Sequence, residues 1–280
     1  MSAKSYYEFA EWVWSVESSI IESVGGCAAR SWQEDHITYT WIDKLRQTQR
    51  SIGVTGSSRP FRIAWDAYKA DGTLEENHGD VAFLVKQTFP NRSEITGVAF
   101  LEAKRVYNSG SFEKLDWTQL NKQSMNSSSH RLLLYDNQDV KVSWPWHCSC
   151  VFPYPHFHPY FEKLFYYLER ESISFSTRAT VCLPQHALAY RKKNRELHEL
   201  SVPLSHQLCL RYFMGQDLDY NPRLVSDVTN GVQAGIDFLI VAHVRYGING
   251  EVGEVSTETV DFDRRAYRTP QPPEGEASAE

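Results

Sequence analysis

The sequence predicts an α/β protein whose mixed central sheet is flanked by helices and followed by a C-terminal α+β extension. Residues 79–104 contain two apolar runs of strand length joined by a polar turn, which is typical of a β-hairpin. An amphipathic helical pattern precedes the hairpin, and a second helical pattern with a short apolar run follows it. Helices on both sides of paired strands are typical of an α/β protein.

The chain before the hairpin is predicted to hold two helices, a loop and one strand. Residues 5–25 carry aromatic side chains at helical spacing, and we expect the Gly25-Gly26 pair to end this helix. A second helix begins near Glu34, because apolar residues recur there every three or four positions. Residues 51–60 are rich in glycine and serine and are predicted to be a loop, whereas residues 61–68 alternate like a strand.

Charged residues interrupt the apolar runs of the hairpin. Asp80 stands at the start of the first run, and Glu102 and Lys104 lie inside the second. Because side chains alternate along a strand, Glu102 and Lys104 point to one face of the sheet and Ala103 points to the other. Buried charges are costly unless they are paired or coordinate a metal. The hairpin therefore predicts either a metal site or an ion-pair network.

An Mg²⁺ site fits these residue types, and Mn²⁺ is expected to substitute for Mg²⁺ because both metals accept oxygen ligands and waters. The carboxylates of Asp80 and Glu102 and the carbonyl of Ala103 would supply half of an octahedral shell. The remaining positions would take water and a phosphate oxygen. Lys104 would then orient or deprotonate the attacking water and offset the charge of the transition state.

Asp80, twenty-one intervening residues and then Glu102-Ala103-Lys104 form a pattern that resembles the PD-(D/E)xK nuclease superfamily. Members of this superfamily share the restriction-endonuclease-like fold. Gly79 stands at the position before the acidic residue, where many members have proline. The resemblance covers about residues 30–140, and it implies that the core of the chain is a nuclease.

The segments on either side of the hairpin extend this resemblance. Glu34 corresponds to the acidic residue on the preceding helix that adds a metal ligand in many members, directly or through water. Residues 115–123 read as a helix in which Gln119 and Gln123 share one face, and residues 130–135 read as a short buried strand. The resemblance implies that Gln119 contacts phosphate or water, as a glutamine on this helix does in several defence and repair branches.

The resemblance also implies a division of labour along the chain. Residues 1–140 are predicted to form the nuclease core with its N-terminal helix, and residues 141–268 an α+β region that docks onto partner subunits. Residues 269–280 have the composition of a disordered tail. The sequence contains no phosphate-binding glycine motif, so an ATPase or sensor would have to be a separate partner. The chain is similar in these respects to nuclease effector subunits of Lamassu-type antiphage defence systems.

The net charge of −6 is unusual for a protein that binds DNA alone, because nucleic-acid affinity comes mainly from phosphate neutralisation. The densest basic stretch is Arg191–Arg195. Either the basic residues cluster on one side of the molecule or another subunit supplies most of the contact with DNA, and we expect the second.

Residues 142–160 contain four prolines and are predicted to lack regular structure. A helix over residues 161–170, a strand over residues 173–183, helical segments near residues 206–213 and 223–232, and a buried strand over residues 235–244 follow. The proline-rich stretch also holds five potential zinc ligands, but without the separate second pair of a structural zinc site, so packing of its cysteines is the alternative. These potential ligands are His147, Cys148, Cys150, His156 and His158.

Other functions stay open from the sequence alone. The chain could act as a stand-alone homodimeric restriction-type endonuclease, as a non-catalytic scaffold whose charged residues form an ion-pair network, or as a zinc-ribbon-like interaction module. No apolar run reaches the roughly 20 residues of a membrane span. The N-terminus lacks the apolar stretch of a signal peptide, and five unevenly spaced cysteines argue against a secreted disulfide scaffold. We therefore expect a cytoplasmic protein without a membrane partner.

Overall fold

The structure, a computed structural model, describes residues 3–29, 31–54, 60–70, 78–112, 115–143, 174–190, 193–231 and 236–271. These residues form an α/β arrangement in which helices flank one mixed sheet of nine strands. The predicted helix over residues 161–170 and the five candidate zinc ligands lie outside the described residues. Over the ranges that the structure covers, no helix has the length and apolarity needed to cross a membrane.

The helices and strands have the following bounds. The helices are α1 (Ala3–Ala28), α2 (Glu34–Thr48), α3 (Trp117–Asn126), α4 (Pro184–Tyr190), α5 (Leu204–His206), which continues as a π-helix over Gln207–Tyr212, and α6 (Pro222–Asn230). The strands are β1 (Ser51–Val54), β2 (Phe61–Ala70), β3 (Val81–Thr88), β4 (Glu94–Arg105), β5 (His130–Ser143), β6 (Ser174–Cys182), β7 (Ser201–Pro203), β8 (Phe238–Tyr246) and β9 (Tyr267–Arg268).

The strands lie in the order β1-β2-β8-β3-β4-β5-β6-β7, with β9 paired to β2. Neighbouring strands are antiparallel except for the pairs β3–β8 and β4–β5, which are parallel. β3 and β4 form the predicted hairpin, with Val81 opposite Leu101. β8 lies between β2 and β3. Strands from both sides of the predicted boundary at residue 140 therefore share one sheet, and residue 140 itself lies inside β5.

Helices pack on both faces of the sheet. α1, α2 and the π-helix contribute to a large buried cluster on one face, to which Leu101 and Ala103 of β4 belong. Phe100 of the same strand belongs to a cluster on the other face, where α6 packs, and α3 and α4 pack nearby against β5. This alternation along β4 agrees with the predicted strand pattern, and it places Glu102 and Lys104 on the face covered by α3.

Two predicted segments differ from the structure before the hairpin. α1 continues through Gly25-Gly26 to Ala28, because Val24 and Cys27 extend its buried stripe and are 0% and 1% exposed. This burial outweighs the cost of glycine in a helix, about 1 kcal/mol per residue. Part of the predicted loop is the strand β1, which pairs with β2 and buries Val54. The pairing of β1 with β2 determines the extended structure of this segment, although it contains a glycine.

Two further segments differ after the hairpin. The strand predicted to end near residue 135 continues to Ser143 as β5, because β6 pairs along its second half with a shift in register after Tyr135. The helical segment near residues 206–213 adopts π geometry over Gln207–Tyr212. The predicted helix over residues 223–232 is present as α6, which Asn221 caps at its N-terminus and Gly231, at φ 69°, ends.

Glu17 on α1 makes the stability of the fold depend on pH. Its side chain is 2% exposed and accepts a hydrogen bond from the Ser205 hydroxyl. Burial raises the pKa of Glu17 above its ordinary value of 4.5, although the Ser205 hydrogen bond acts in the opposite direction. The stability that Glu17 contributes is therefore fully present below pH 4.5 and is lost as pH rises through the folded-state pKa.

We expect Glu17→Gln to raise the free energy of unfolding at pH 8, because the variant has no carboxylate to ionise in the core. Each unit by which the pKa of the carboxyl is raised corresponds to roughly 1.4 kcal/mol. At pH 4 the variant and the wild type should differ little. Urea denaturation followed by tryptophan fluorescence at both pH values measures the difference. The exposed Glu11 on the same helix is the control, and an equal effect of Glu17→Gln at both pH values would contradict the prediction.

Candidate active site

The predicted site residues come together at one end of the β3–β4 hairpin. Asp80 immediately precedes β3, and Glu102 and Lys104 lie near the end of β4. Because these strands are antiparallel, the start of β3 and the end of β4 are at the same edge of the sheet. α2 begins at this edge with Glu34, and α3 crosses it with Gln119.

Backbone hydrogen bonds fix Asp80 between two strands. Its N–H donates to the carbonyl of Leu101 at 2.9 Å, and its own carbonyl accepts from the N–H groups of Asp237 and Phe238 at 3.0 and 2.9 Å. The side-chain Oδ2 accepts from the N–H of Ala103. Asp80 is therefore held by β4 on one side and by the start of β8 on the other, with its side chain partly exposed.

Glu102 is the centre of the side-chain network. It is 3% exposed, and its Oε1 accepts from Lys104 Nζ at 2.6 Å and from Gln119 Nε2 at 3.1 Å. Its Oε2 accepts from Gln123 Nε2 at 2.8 Å. Gln123 is 1% exposed and was not among the predicted site residues. Its position four residues after Gln119 is the sequence signal that identifies it.

Glu34 approaches the same network from α2. Its Oε2 lies 3.9 Å from Lys104 Nζ, and its Oε1 accepts from the backbone N–H of Arg105 at 3.2 Å. α2 is anchored to β5 by the buried hydroxyl of Tyr135, which accepts from Trp41 Nε1 at 2.7 Å. This anchor holds the first turn of α2 at the end of β4, where Glu34 can act as an acidic residue of the site.

The cluster carries more negative than positive charge. Burial raises the pKa of Asp80 well above its ordinary value, and the carboxylates of Glu102 and Glu34 raise it further against the opposing effects of Lys104 and the Ala103 N–H. Burial alone would lower the pKa of Lys104, but attraction to Glu102, Asp80 and Glu34 raises it. Lys104 is therefore an ammonium ion in this arrangement, which suits it to orient a water rather than to deprotonate one.

Carboxylate oxygens are the ligands that a divalent cation prefers, and the carboxylates of Glu102, Asp80 and Glu34 all act electrostatically on Lys104. The side chains of the cluster nevertheless form hydrogen bonds with one another. Both oxygens of Glu102 already accept hydrogen bonds. Within the described ranges, no group of three or more His, Cys, Asp or Glu side chains is arranged to hold a metal ion. Oε1 of Glu102 accepts two hydrogen bonds and Oε2 accepts one, so a cation that binds Glu102 must use the remaining lone pair of Oε2 or displace a donor.

Gly79 allows the close approach of this cluster. It has φ 87°, and a Cβ atom there would lie 2.8 Å from the Leu101 carbonyl oxygen and 3.1 Å from Glu102 Oε2. We expect Gly79→Ala to lower the free energy of unfolding by about 1–3 kcal/mol, the usual cost of such a strained backbone. Denaturation with urea measures this loss.

The matched control for this change is Gly26→Ala. Gly26 lies in α1, and a Cβ atom there would meet nothing within 4 Å. Alanine is favoured over glycine in a helix by about 1 kcal/mol, so this variant should be more stable than the wild type. A Gly79→Ala protein as stable as the wild type would contradict the contact geometry described for Gly79.

Comparison of the chain with protein-family models, with curated proteins and with solved structures finds no match. The α/β architecture and the geometry of the cluster therefore stand on the residues of this chain alone.

Proposed function

We propose that the protein is a Mg²⁺-dependent DNA endonuclease that hydrolyses phosphodiester bonds at Asp80, Glu102 and Lys104. The observation that carries this proposal is that residues from several elements meet in one cluster. Glu34 and Gln119, far apart in the chain, lie with Glu102 and Lys104 within one hydrogen-bonded and ion-paired cluster at a strand end. A purely structural ion pair needs one acid for one lysine, whereas this cluster places three acids around one lysine.

Each residue has a distinct role in this proposal. Asp80, Glu102, the Ala103 carbonyl and Glu34, directly or through water, would hold Mg²⁺ or Mn²⁺. When bound, the ion would polarise the phosphate and generate a nucleophilic water. Lys104, as an ammonium ion, orients that water and offsets charge on the transition state.

The two glutamines of α3 have different positions in the cluster and therefore different proposed roles. Gln119 is the more exposed of the two and contacts phosphate or water. Gln123 is buried, and its amide holds Glu102 in place. α3 is oriented by Asp116, whose side chain accepts from the Thr118 N–H at 2.7 Å and caps the helix. In this proposal Gln119 therefore binds phosphate or water, and Gln123 positions the Glu102 carboxylate.

The proposal extends to the finer fold. The order of α2, the β3–β4 hairpin, α3 and β5 parallel to β4 agrees with a restriction-endonuclease-like core. This order supports membership of the PD-(D/E)xK nuclease superfamily, together with the spacing of Asp80 and Glu102-Ala103-Lys104. The position of β8 between β2 and β3 is an addition to that core.

We further propose that the nuclease is the effector subunit of a multi-subunit antiphage complex of the Lamassu type or a related type. The net charge of −6 and the lack of a phosphate-binding glycine motif support this setting, because partners would then supply DNA affinity and the ATPase or sensor. Residues 141–268 would carry the docking surface. A stand-alone homodimer with the same site is the alternative within the fold, and light scattering with and without candidate partners distinguishes the two.

A non-catalytic scaffold is the second candidate, and the closed state of Glu102 favours it. Both carboxylate oxygens are already satisfied by Lys104, Gln119 and Gln123. A scaffold should bind no Mn²⁺, whereas the nuclease should be stabilised against heat by millimolar Mn²⁺, since a ligand that binds only the folded state raises its stability. Thermal denaturation with Mn²⁺ and without it therefore separates the two functions.

Cleavage of supercoiled plasmid is the direct test of the proposed function. The purified chain should nick or linearise the plasmid with Mg²⁺ or Mn²⁺, and excess EDTA should stop the reaction because the carboxylates alone cannot activate water. Agarose gel electrophoresis measures the products. Intact plasmid in every condition, both for the isolated chain and for the chain bound to its partner subunits, would contradict the proposal.

A further inference from the structure

Backbone contacts bring Lys193 and Asn194, which belong to the densest basic stretch of the sequence, next to the turn that follows β4. The chain after β4 makes a tight turn in which the Tyr107 N–H donates to the Ser111 carbonyl at 2.8 Å. Ser111 then pairs with Asn194, and the Phe112 N–H donates to the Lys193 carbonyl at 2.6 Å. Lys193 and Asn194 therefore lie along the turn that follows β4.

Arg195 fixes this segment and is neutralised in doing so. Its Nε lies 2.6 Å from Asp136 Oδ2, and its Nη2 lies 2.9 Å from Asp136 Oδ1. Burial alone would raise the pKa of Asp136, but hydrogen bonds from His198 and Arg195 lower it to about 2. Asp136 is therefore ionised, and the charge of Arg195 is used inside the protein rather than offered to a ligand.

Arg105 and Lys193 have a different environment. The Arg105 guanidinium lies 4.4 Å from the ring centroid of Tyr107, and Lys193 Nζ lies 5.1 Å from that of Trp117. Both cations are partly exposed, and neither forms an ion pair with a carboxylate of the described residues. Aromatic faces hold a cation in place without cancelling its charge. The protein thus presents two positioned positive charges beside the site.

These two charges lie on different elements near the end of β4 and, by strand alternation, on opposite faces of the sheet. Arg105 follows Lys104 on β4, and its N–H is bonded to Glu34. Trp117, under Lys193, is the first residue of α3, the helix that carries Gln119. Three carboxylates at the site repel a polyanion, so a nucleic-acid substrate needs nearby positive charge to approach them.

We propose that the Arg105–Lys193 surface, defined as Arg105, Tyr107, Trp117 and Lys193, binds the phosphodiester backbone of the DNA strand that enters the active site. The two cations contact phosphates on either side of the scissile bond. The inference rests on the proposed nuclease function, because that function requires a DNA strand to enter the active site. It departs from the sequence expectation that another subunit supplies most of the contact with DNA.

The test measures binding without cleavage. Fluorescence anisotropy with fluorescein-labelled DNA of about 20 nucleotides, as single strand and as duplex, is followed in EDTA over a range of NaCl concentrations. Arg105→Ala and Lys193→Ala should each weaken binding about three- to tenfold. Each should also reduce the slope of log K against log[NaCl] by about 0.7 for single strands or 0.9 for duplex, the value for one phosphate contact.

Two basic residues outside the surface are the controls. Lys44 pairs with Glu22 at 3.2 Å and lies ten residues after Glu34 on α2, which is about 15 Å along the helix axis. Arg62 pairs with Glu254 at 2.7 Å near the start of β2, at the other end of the sheet. Lys44→Ala and Arg62→Ala should leave the affinity and the salt slope unchanged, and circular dichroism verifies the folding of all four variants.

The outcomes separate this inference from the proposed function. Unchanged binding of Arg105→Ala and Lys193→Ala, or an equal loss in the controls, overturns the inference even when the wild type cleaves plasmid. The inference is also overturned if the wild type binds neither the single strand nor the duplex. It is overturned as well if Arg105→Ala and Lys193→Ala weaken the binding of polyglutamate as much as the binding of DNA. If Arg105→Ala and Lys193→Ala selectively lose DNA binding but the wild type cleaves no plasmid, alone or with its partner subunits, the result supports the Arg105–Lys193 surface and contradicts the proposed nuclease function.

Discussion

Glu102→Gln is expected to reduce Mg²⁺-dependent cleavage of supercoiled plasmid by about 10³-fold, while the protein stays folded. The amide keeps the shape of the side chain but cannot serve as an anionic metal ligand, and loss of one preorganised electrostatic contact typically costs about 10²–10³ in rate. The substitution also removes the negative charge that holds Lys104 Nζ at 2.6 Å from the Glu102 carboxylate. Initial rates of nicking at saturating Mg²⁺ measure the effect.

Glu94→Gln is the matched control for this variant. Glu94 stands at the opposite end of the same strand and pairs with Lys86 at 3.0 Å, but it is exposed and far from Asp80. Its replacement should leave the cleavage rate unchanged, since exposed ion pairs contribute about 0–1 kcal/mol to stability. Equal activity of Glu102→Gln and the wild type would remove Glu102 from the site and with it the metal-site assignment.

Lys104→Met is expected to have the second largest effect, a loss of about 10²-fold in the cleavage rate, because it removes the cation that is proposed to orient the attacking water. The methionine fills the same volume but carries no charge. It leaves Glu102 buried with two glutamine donors and no cation. Loss of one partner of a buried pair costs about 3–5 kcal/mol, so the variant is assayed at a temperature where it remains folded.

The double variant Glu102→Gln with Lys104→Met separates chemistry from structure. Removing both charges avoids the unpaired buried ion, so stability should return towards that of the wild type. Activity should not return, because both chemical groups are absent. Lys86→Met, which breaks the Lys86–Glu94 pair near the far end of the hairpin, is the control. A stable and active double variant would show that the Glu102–Lys104 pair is an ion-pair network without a catalytic role.

The centre of the site could be predicted because it depends on short-range geometry. Glu102 and Lys104 are two residues apart on one strand, so alternation alone places them on one face, and their side chains are in contact. Asp80 joins them because a hairpin brings the start of its first strand to the end of its second. Both inferences need only a strand pattern and a turn.

The depth of each residue in the site could not be predicted in the same way. Helical spacing puts Gln119 and Gln123 on one face of α3. It does not say how far the helix is shifted along the sheet, which depends on the packing of Leu120 against β5. The sequence therefore favoured Gln119, whereas the structure buries Gln123 more deeply against Glu102.

The order of the strands in the sheet could not be predicted from the sequence either. The apolar run over residues 235–244 predicts a buried strand, because a central strand needs apolar side chains on both faces. Its neighbours depend on pairings between segments distant in the chain, such as Phe238 with Val81 and with Lys69. No local pattern records these pairings.

The position of β8 has a consequence for biosynthesis. Translation at about 5–20 residues per second needs roughly 8–30 s to pass from the end of β3 to Phe238, about 150 residues later. During that interval β3 has an open edge on the nascent chain, and the Asp80 carbonyl lacks the two amide donors that β8 and the residue before it supply. The arrangement around Asp80 is therefore complete only after translation has passed Phe238, so this cluster forms late in the synthesis of these residues.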